Sequence, residues 1–142
     1  MLSTREDIIK YIPQREPMVM VHNIVEADED CATTQLEVLS ENIFVEGGLF
    51  REPGLIENIA QTAAAQMGYA FKSRGMPVPI GYIASVKDLS VFNLPPVGAL
   101  LTTSTRVTAN VMNVTLVEGV VRYNDLIVCS CEMRIFVGKE GT

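Results

Sequence analysis

The chain has 142 residues and a mass of 15.6 kDa, room for one domain over residues 1–142 and too little for a second of ordinary size. With 48 % hydrophobic residues, 20 % charged residues and a mean hydropathy of +0.24, it can build a packed core, which excludes disorder as its main state. The net charge of −6 excludes the positive footprint that general nucleic-acid binding requires, and no apolar run reaches even ten residues, which excludes a membrane-spanning helix.

The opening Met-Leu-Ser-Thr-Arg-Glu-Asp lacks the basic and then apolar profile of a secretory signal. The three cysteines, Cys31, Cys129 and Cys131, are an odd number and argue against a closed disulfide framework. Cys129 and Cys131, two apart, share one face of a strand. With a single histidine and no second cysteine pair, no metal-ligand set is complete. Reduced thiols in or near a core, a cytoplasmic setting, no metal and no cofactor are the expectations.

The first predicted element is a short helix. Ser3 and Glu6 have capping-box spacing, Ile8, Ile9 and Ile12 share one side, and Pro13 stops it. Residues 18–27 read as a first strand that ends at the acidic turn of residues 28–30, and residues 31–39 as a second. Residues 46–54 read as loop, punctuated by three glycines and a proline. They feed the longest helical pattern, residues 55–73, rich in alanine. Ile56, Ile59, Ala60, Ala63, Met67 and Phe71 gather on one broad side of it, and Gly75 and Pro77 end it. Four strands follow, at residues 80–86, 100–109, 112–123 and 127–137, with Asn124-Asp125 as a hairpin turn between the last two. One apolar helix against about six antiparallel strands gives an α+β class, with the helix buried on a curved sheet or covered by a second subunit.

The order of elements resembles a hotdog fold, a long helix lying in a curved antiparallel sheet. Several stretches resemble the 3-hydroxyacyl-[acyl-carrier-protein] dehydratases. Ile12-Pro-Gln-Arg-Glu-Pro-Met-Val-Met-Val21 is similar to their opening "PHRxPFLMVD". Pro53-Gly-Leu-Ile-Glu-Asn-Ile-Ala-Gln61 is similar to their "PGVLxxEAMAQ", with two residues fewer between the glycine and the glutamate. Gly81 to Lys87 resembles the strand after the helix, Pro95-Pro-Val-Gly98 the "PGD" turn, and the chain from Tyr123 onward the last hairpin. The departure is in the "GHFPG" loop that carries the family's catalytic histidine. Here it reads Glu46-Gly-Gly-Leu-Phe50, with Gly48 or Leu49 in the histidine's place. His22, the only histidine, falls where the family has an aspartate on the first strand, and a structural role is expected for it.

The resemblance implies dehydration of a 3-hydroxyacyl thioester, as in fatty-acid or polyketide-like acyl chain metabolism. That reaction needs a base, a proton donor and a group that polarises the carbonyl. Glu57 is the expected catalytic residue, placed in the first helical turn where the dipole favours its ionised form. Gln61, four residues on, is its neighbour. The free N–H groups around Pro53-Gly54 are the expected carbonyl site. Gly47, Gly48, Leu49, Phe50, Gly54, Gln61 and Tyr82 are the expected substrate-binding residues, and Tyr82 and Asp88 could substitute for the missing base.

Three functions follow. One is a dehydratase-like lyase with its base supplied from elsewhere. The second is a thioesterase on acyl carrier protein or coenzyme A esters that uses Glu57 to activate water or attack directly. The third is a non-catalytic acyl-binding or partner subunit. The expected partners are acyl carrier protein or a coenzyme A thioester, with Arg51, Lys72, Arg74 and Lys87 as a candidate basic patch. A homodimer is expected, or a heterodimer with a histidine-bearing hotdog subunit.

Overall fold

The alternating pattern resolves into strands in the computed structural model, which describes residues 2–138. In chain order these are β1 (Asn23–Ala27), β2 (Cys31–Glu37), β3 (Val45–Glu46) and β4 (Leu49–Phe50), then α1 (Glu52–Ser73), β5 (Ile80–Val91), β6 (Leu100–Val111), β7 (Val114–Tyr123) and β8 (Leu126–Gly138). Six strands form one antiparallel sheet in the order β1-β2-β6-β7-β8-β5, and β3 and β4 form a separate small hairpin. The turn at Asn124-Asp125 is where the sequence places it, with both residues at positive φ, 52° and 62°, as a primed two-residue hairpin requires.

α1 starts three residues earlier than the alanine pattern predicts, because Pro53 fits the first turn, where its missing N–H is not needed. Its far end closes as a Schellman motif. The Met76 N–H donates to Phe71 O and the Gly75 N–H to Lys72 O, with Gly75 at φ 71°. Leu55, Ile59 and Ala63 bury against Leu101, Val117, Val121, Cys129 and Met133 of the sheet. Gly119 on β7 allows this close approach, since a Cβ there would collide with Ile59. The sheet wraps the helix as a hotdog fold does.

The predicted opening helix is reduced to one 3-10 turn, Ile8–Lys10. Ser3 caps nothing. Its Oγ accepts from the Ile24 N–H at 2.9 Å instead, so a tertiary contact replaces the capping box. The β3–β4 hairpin lies in the segment expected to be loop, and Gly47 and Gly48 form its tip at φ 63° and 77°.

Candidate active site

Residues 11–21 run along α1 as a strap, fixed at both ends. Near the C-terminal end of the helix, Gly68 lets the Tyr11 carbonyl lie directly on its backbone; any Cβ would strike it. Near the other end, two buried polar side chains of α1 grip the strap. Gln61 Nε2 donates to Met18 O at 2.7 Å, and the Met20 N–H donates to Gln61 Oε1 at 2.6 Å. Asn58 Nδ2 donates to Met20 O at 2.8 Å, while its Oδ1 accepts from Thr103 Oγ1 of β6 at 2.5 Å. Thr62 Oγ1 donates to Asn58 O and accepts from Thr34 Oγ1 of β2. Ile8, Ile12, Val19, Val21 and Ile24 close this side in a second apolar cluster with Ala65.

The third side of α1 is open. A cleft of about 230 Å³ is lined by Glu57, Ala60, Ala64 and Met67 of the helix, Gln14 of the strap, and Pro79, Gly81, Tyr82 and Ile83 at the start of β5. Small alanines at i and i+4 hollow this face. Glu57 is half-buried, and Gln61 Nε2 donates to its Oε2 at 2.8 Å, which fixes the carboxylate. Met67 and Pro79 also border a larger cavity of about 620 Å³, which continues past Ala70 and Phe71 to Val107 and Val137. That cavity has a mixed lining, with Glu29, Gln66, Arg74, Asn110, Asn113 and Thr115 beside the apolar groups.

The expected site residues divide into two groups. Glu57, Gln61 and Tyr82 come together at the cleft, with Tyr82 62 % exposed at its rim. Gly47, Gly48, Leu49, Phe50 and Gly54 lie elsewhere. Gly47 and Gly48 are the exposed hairpin tip, and Leu49 bridges to Pro96. Phe50 is wholly buried, and Gly54 is small because Phe50 and Phe44 press on it. The Gly54 N–H turns back onto Arg51 O at 3.0 Å, and Pro53 has none, so this end of α1 offers no free amides where the carbonyl site was expected. With the helix beginning at Glu52, Glu57 lies in its second turn, beyond most of the dipole's reach.

The basic patch does not assemble. Arg51 and Arg74 cap opposite ends of α1, roughly 35 Å apart at the helical rise. Arg51 pairs with Glu52 and Arg74 with Glu29, and Lys72 lies over the Tyr11 ring. His22 is outside the cleft, and its Nδ1 accepts from the Glu37 N–H at 3.2 Å. Burial, aided by the charge of Arg5, pushes His22 down to about 4, which makes it a weak base. Burial pushes the Cys129 thiol up to about 11 and Cys131 to about 12, where both are inert. Among the described residues no cluster of three or more histidines, cysteines or carboxylates is placed to hold a metal, and no helix is long and apolar enough to cross a membrane.

Asn58 and Gln14 escaped the sequence reading. A signal existed for each. Asn58 lies three and four residues before the polar Gln61 and Thr62, on one polar stripe of the helix, and Gln14 stands where the opening stretch of the dehydratases has its histidine.

The fold has counterparts. The model of the ApeP-like family, described as ApeP dehydratase, matches residues 6–140. Among solved structures, the dehydratase heterocomplex ApeI:P from Xenorhabdus doucetiae superimposes with a TM-score of 0.87 at 15 % identity, over 94 % of this chain and 91 % of that one. A hypothetical thioesterase with coenzyme A from Streptococcus pneumoniae gives 0.69 at 10 % identity, over 84 % and 90 %. The Escherichia coli PaaI protein gives 0.66 at 13 % identity, over 80 % and 81 %. No curated protein matches the sequence.

Proposed function

The chain belongs to the ApeP-like family, and from that footing we propose that it handles acyl thioesters as a dehydratase-type subunit. In this reading Glu57 is the reacting carboxylate and a second hotdog subunit completes the site. One observation carries the reading. The Glu57 carboxylate, held by Gln61, faces a cleft whose outer wall is β5, an edge strand with no neighbour beyond it among the described residues. Along that strand Ile80, Tyr82, Ile83 and Leu89 are exposed, a long apolar edge of the kind that pairs with another chain.

Elimination from a 3-hydroxyacyl thioester gives the 2-enoyl thioester and water. A base takes the proton next to the carbonyl, the C–H pair becomes the C=C bond, and the C–O bond breaks. Glu57, in its acid form, hands its proton to the departing hydroxyl. The chain supplies that carboxyl and, beside it, the alanine-hollowed cleft with Met67 and Ile83 for the acyl chain. No histidine lines the cleft among the described residues, and the one histidine a second copy would bring is another His22, a weak base. The reading therefore favours a histidine-bearing hotdog partner over a homodimer, in line with the heterocomplex named for the structural neighbour.

The test is mass spectrometry of 3-hydroxyacyl carrier-protein and coenzyme A panels. They are incubated with the chain alone and with the hotdog proteins that co-purify with it. The expected result is loss of one water by the assembly only. Glu57→Gln then lowers the rate 10²–10⁴-fold while the fold is intact, the range for a lost acid catalyst. Loss of the whole acyl group by the chain alone would establish the thioesterase reading instead. An unchanged rate in Glu57→Gln would remove Glu57 from the chemistry.

A further inference from the structure

Along α1 the cleft is lined by Glu57, Ala60, Ala64 and Met67, and no helix residue beyond Met67 borders it. Met67 follows Glu57 by about 15 Å at the helical rise. An extended chain advances about 1.2 Å per bond, so that length admits about twelve bonds. Volume is the tighter limit. A cavity of about 150 Å³ takes one benzene, so the cleft's 230 Å³ takes about nine carbons. Met67 is half-buried, and it and Pro79 are the two residues that this cleft shares with the larger cavity beyond. They stand at the divide. Pro79 is a fixed ring, whereas Met67 is an unbranched chain that fills whatever gap is left.

Beyond the divide a hydrocarbon is poorly received. Gln66 and Thr115, both more than nine-tenths buried, line that cavity together with Asn110, Asn113 and the Arg74–Glu29 pair. Gln66 is fixed there, its Nε2 donating to Asp28 O at 3.0 Å and to Glu29 O at 2.8 Å. A methylene pushed among such groups takes water from them and offers no hydrogen bond in return. Room runs out on one side of Met67 and apolar lining on the other.

We propose that Met67 is a specificity-determining residue that sets the length of the acyl chain, and that the chain takes medium-length acyl thioesters of up to about ten carbons. The inference rests on the thioester reading and deepens it by naming the substrate class of the same cleft. The reacting carbons lie at Glu57, the acyl tail runs past Ala60 and Ala64, and its end abuts Met67.

The test is calorimetric binding of 3-hydroxyacyl pantetheine amides, with chains of six to sixteen carbons, to the full chain in the assembly it forms. Wild type is expected to gain about fourfold in affinity per added methylene, the worth of burying one, and to stop gaining near ten carbons. Met67→Ala removes three heavy atoms from the end of the cleft and moves that limit up by about three carbons. Ala64→Leu adds three in its middle and moves the limit down by as many. Thermal melting without ligand checks the fold of each, and Ala64→Val, a smaller addition, replaces leucine if that variant does not fold. An affinity that climbs through sixteen carbons in wild type, or a limit that Met67→Ala leaves in place, overturns the role of Met67 while the thioester reading stands. Failure of wild type to bind any length overturns the thioester reading itself, and the length limit with it.

Discussion

Glu57 and Asn58 are neighbours in the chain and about 100° apart around α1. Asn58 faces inward, wholly buried, with its amide bonded at one end to the strap and at the other to Thr103 of the sheet. Glu57 faces the cleft, held by one bond from Gln61 and otherwise open. One side of the helix is closed by satisfied polar groups and packed side chains. The other is hollowed by Ala60 and Ala64 and keeps its polar atoms available. The difference separates two tasks of the helix: polar packing on the Asn58 side, and on the other the chemistry proposed for Glu57. Gln61 belongs to both, since one amide nitrogen serves the strap and the carboxylate together.

The sharpest way to break this comparison is at Asn58. Asn58→Leu keeps the branched heavy-atom shape but strands Met20 O and the Thr103 hydroxyl in the core. The expected cost is about 3–4 kcal/mol in denaturant unfolding, from two buried groups left unpaired. Adding Thr103→Val recovers part of it, because both partners of one bond are then apolar. A cost below about 1 kcal/mol would mean that the inner side is not the source of stability.

His22 tests whether the strap's exit is sealed as firmly. The His22 backbone N–H donates to Gln35 O, and the ring Nδ1 accepts from the Glu37 N–H, a bond that needs Nδ1 unprotonated. Its folded value of about 4 lies below the ordinary 6.5. Between those values the unfolded chain binds a proton that the folded chain does not, so stability falls as pH falls from 6.5 toward 4. The slope from this one group approaches about 1.4 kcal/mol per pH unit, and it vanishes above the unfolded value. Carboxylates titrate in both proteins, so the informative quantity is the difference between wild type and His22→Gln. Parallel stability curves for the two across that window would show an exposed, loosely held ring.

Much of this was legible beforehand. The alanine-rich helix, its glycine stop, the four strands that follow it and the Asn124-Asp125 turn follow from local rules that the fold does not override. The failures have physical causes. Ser3 and Glu6 have the spacing of a cap, but Ser3 Oγ is taken by Ile24, twenty-one residues away, a competition no local pattern records. Gly47-Gly48 was itself a hairpin signal, hidden because its strands are two residues long. At the site, Glu57 was implied by the resemblance to the dehydratases, and helical spacing gave Gln61 as its neighbour. Gln14 was not, because its place beside Glu57 depends on the strap's two distant anchors at Gly68 and Gln61.

The smallest expected effect is at Tyr82, and it bears on the open side most directly. Tyr82 stands opposite Phe136 on β8, and both rings are largely exposed, 62 % and 45 %. An exposed cross-strand aromatic pair contributes roughly 0.2–1 kcal/mol, so Tyr82→Ala lowers the stability of the single chain by no more than that. The cleft wall and the unpaired edge of β5 meet at this residue, and if a second hotdog subunit docks there the ring is covered on association. The same substitution then costs more in the assembly than in the dissociated chain, and sedimentation at a series of concentrations shows weaker pairing. Equal cost in both states would place the partner's seam away from β5. Glu57 would then face solvent, and the missing base would have to approach the cleft from another side.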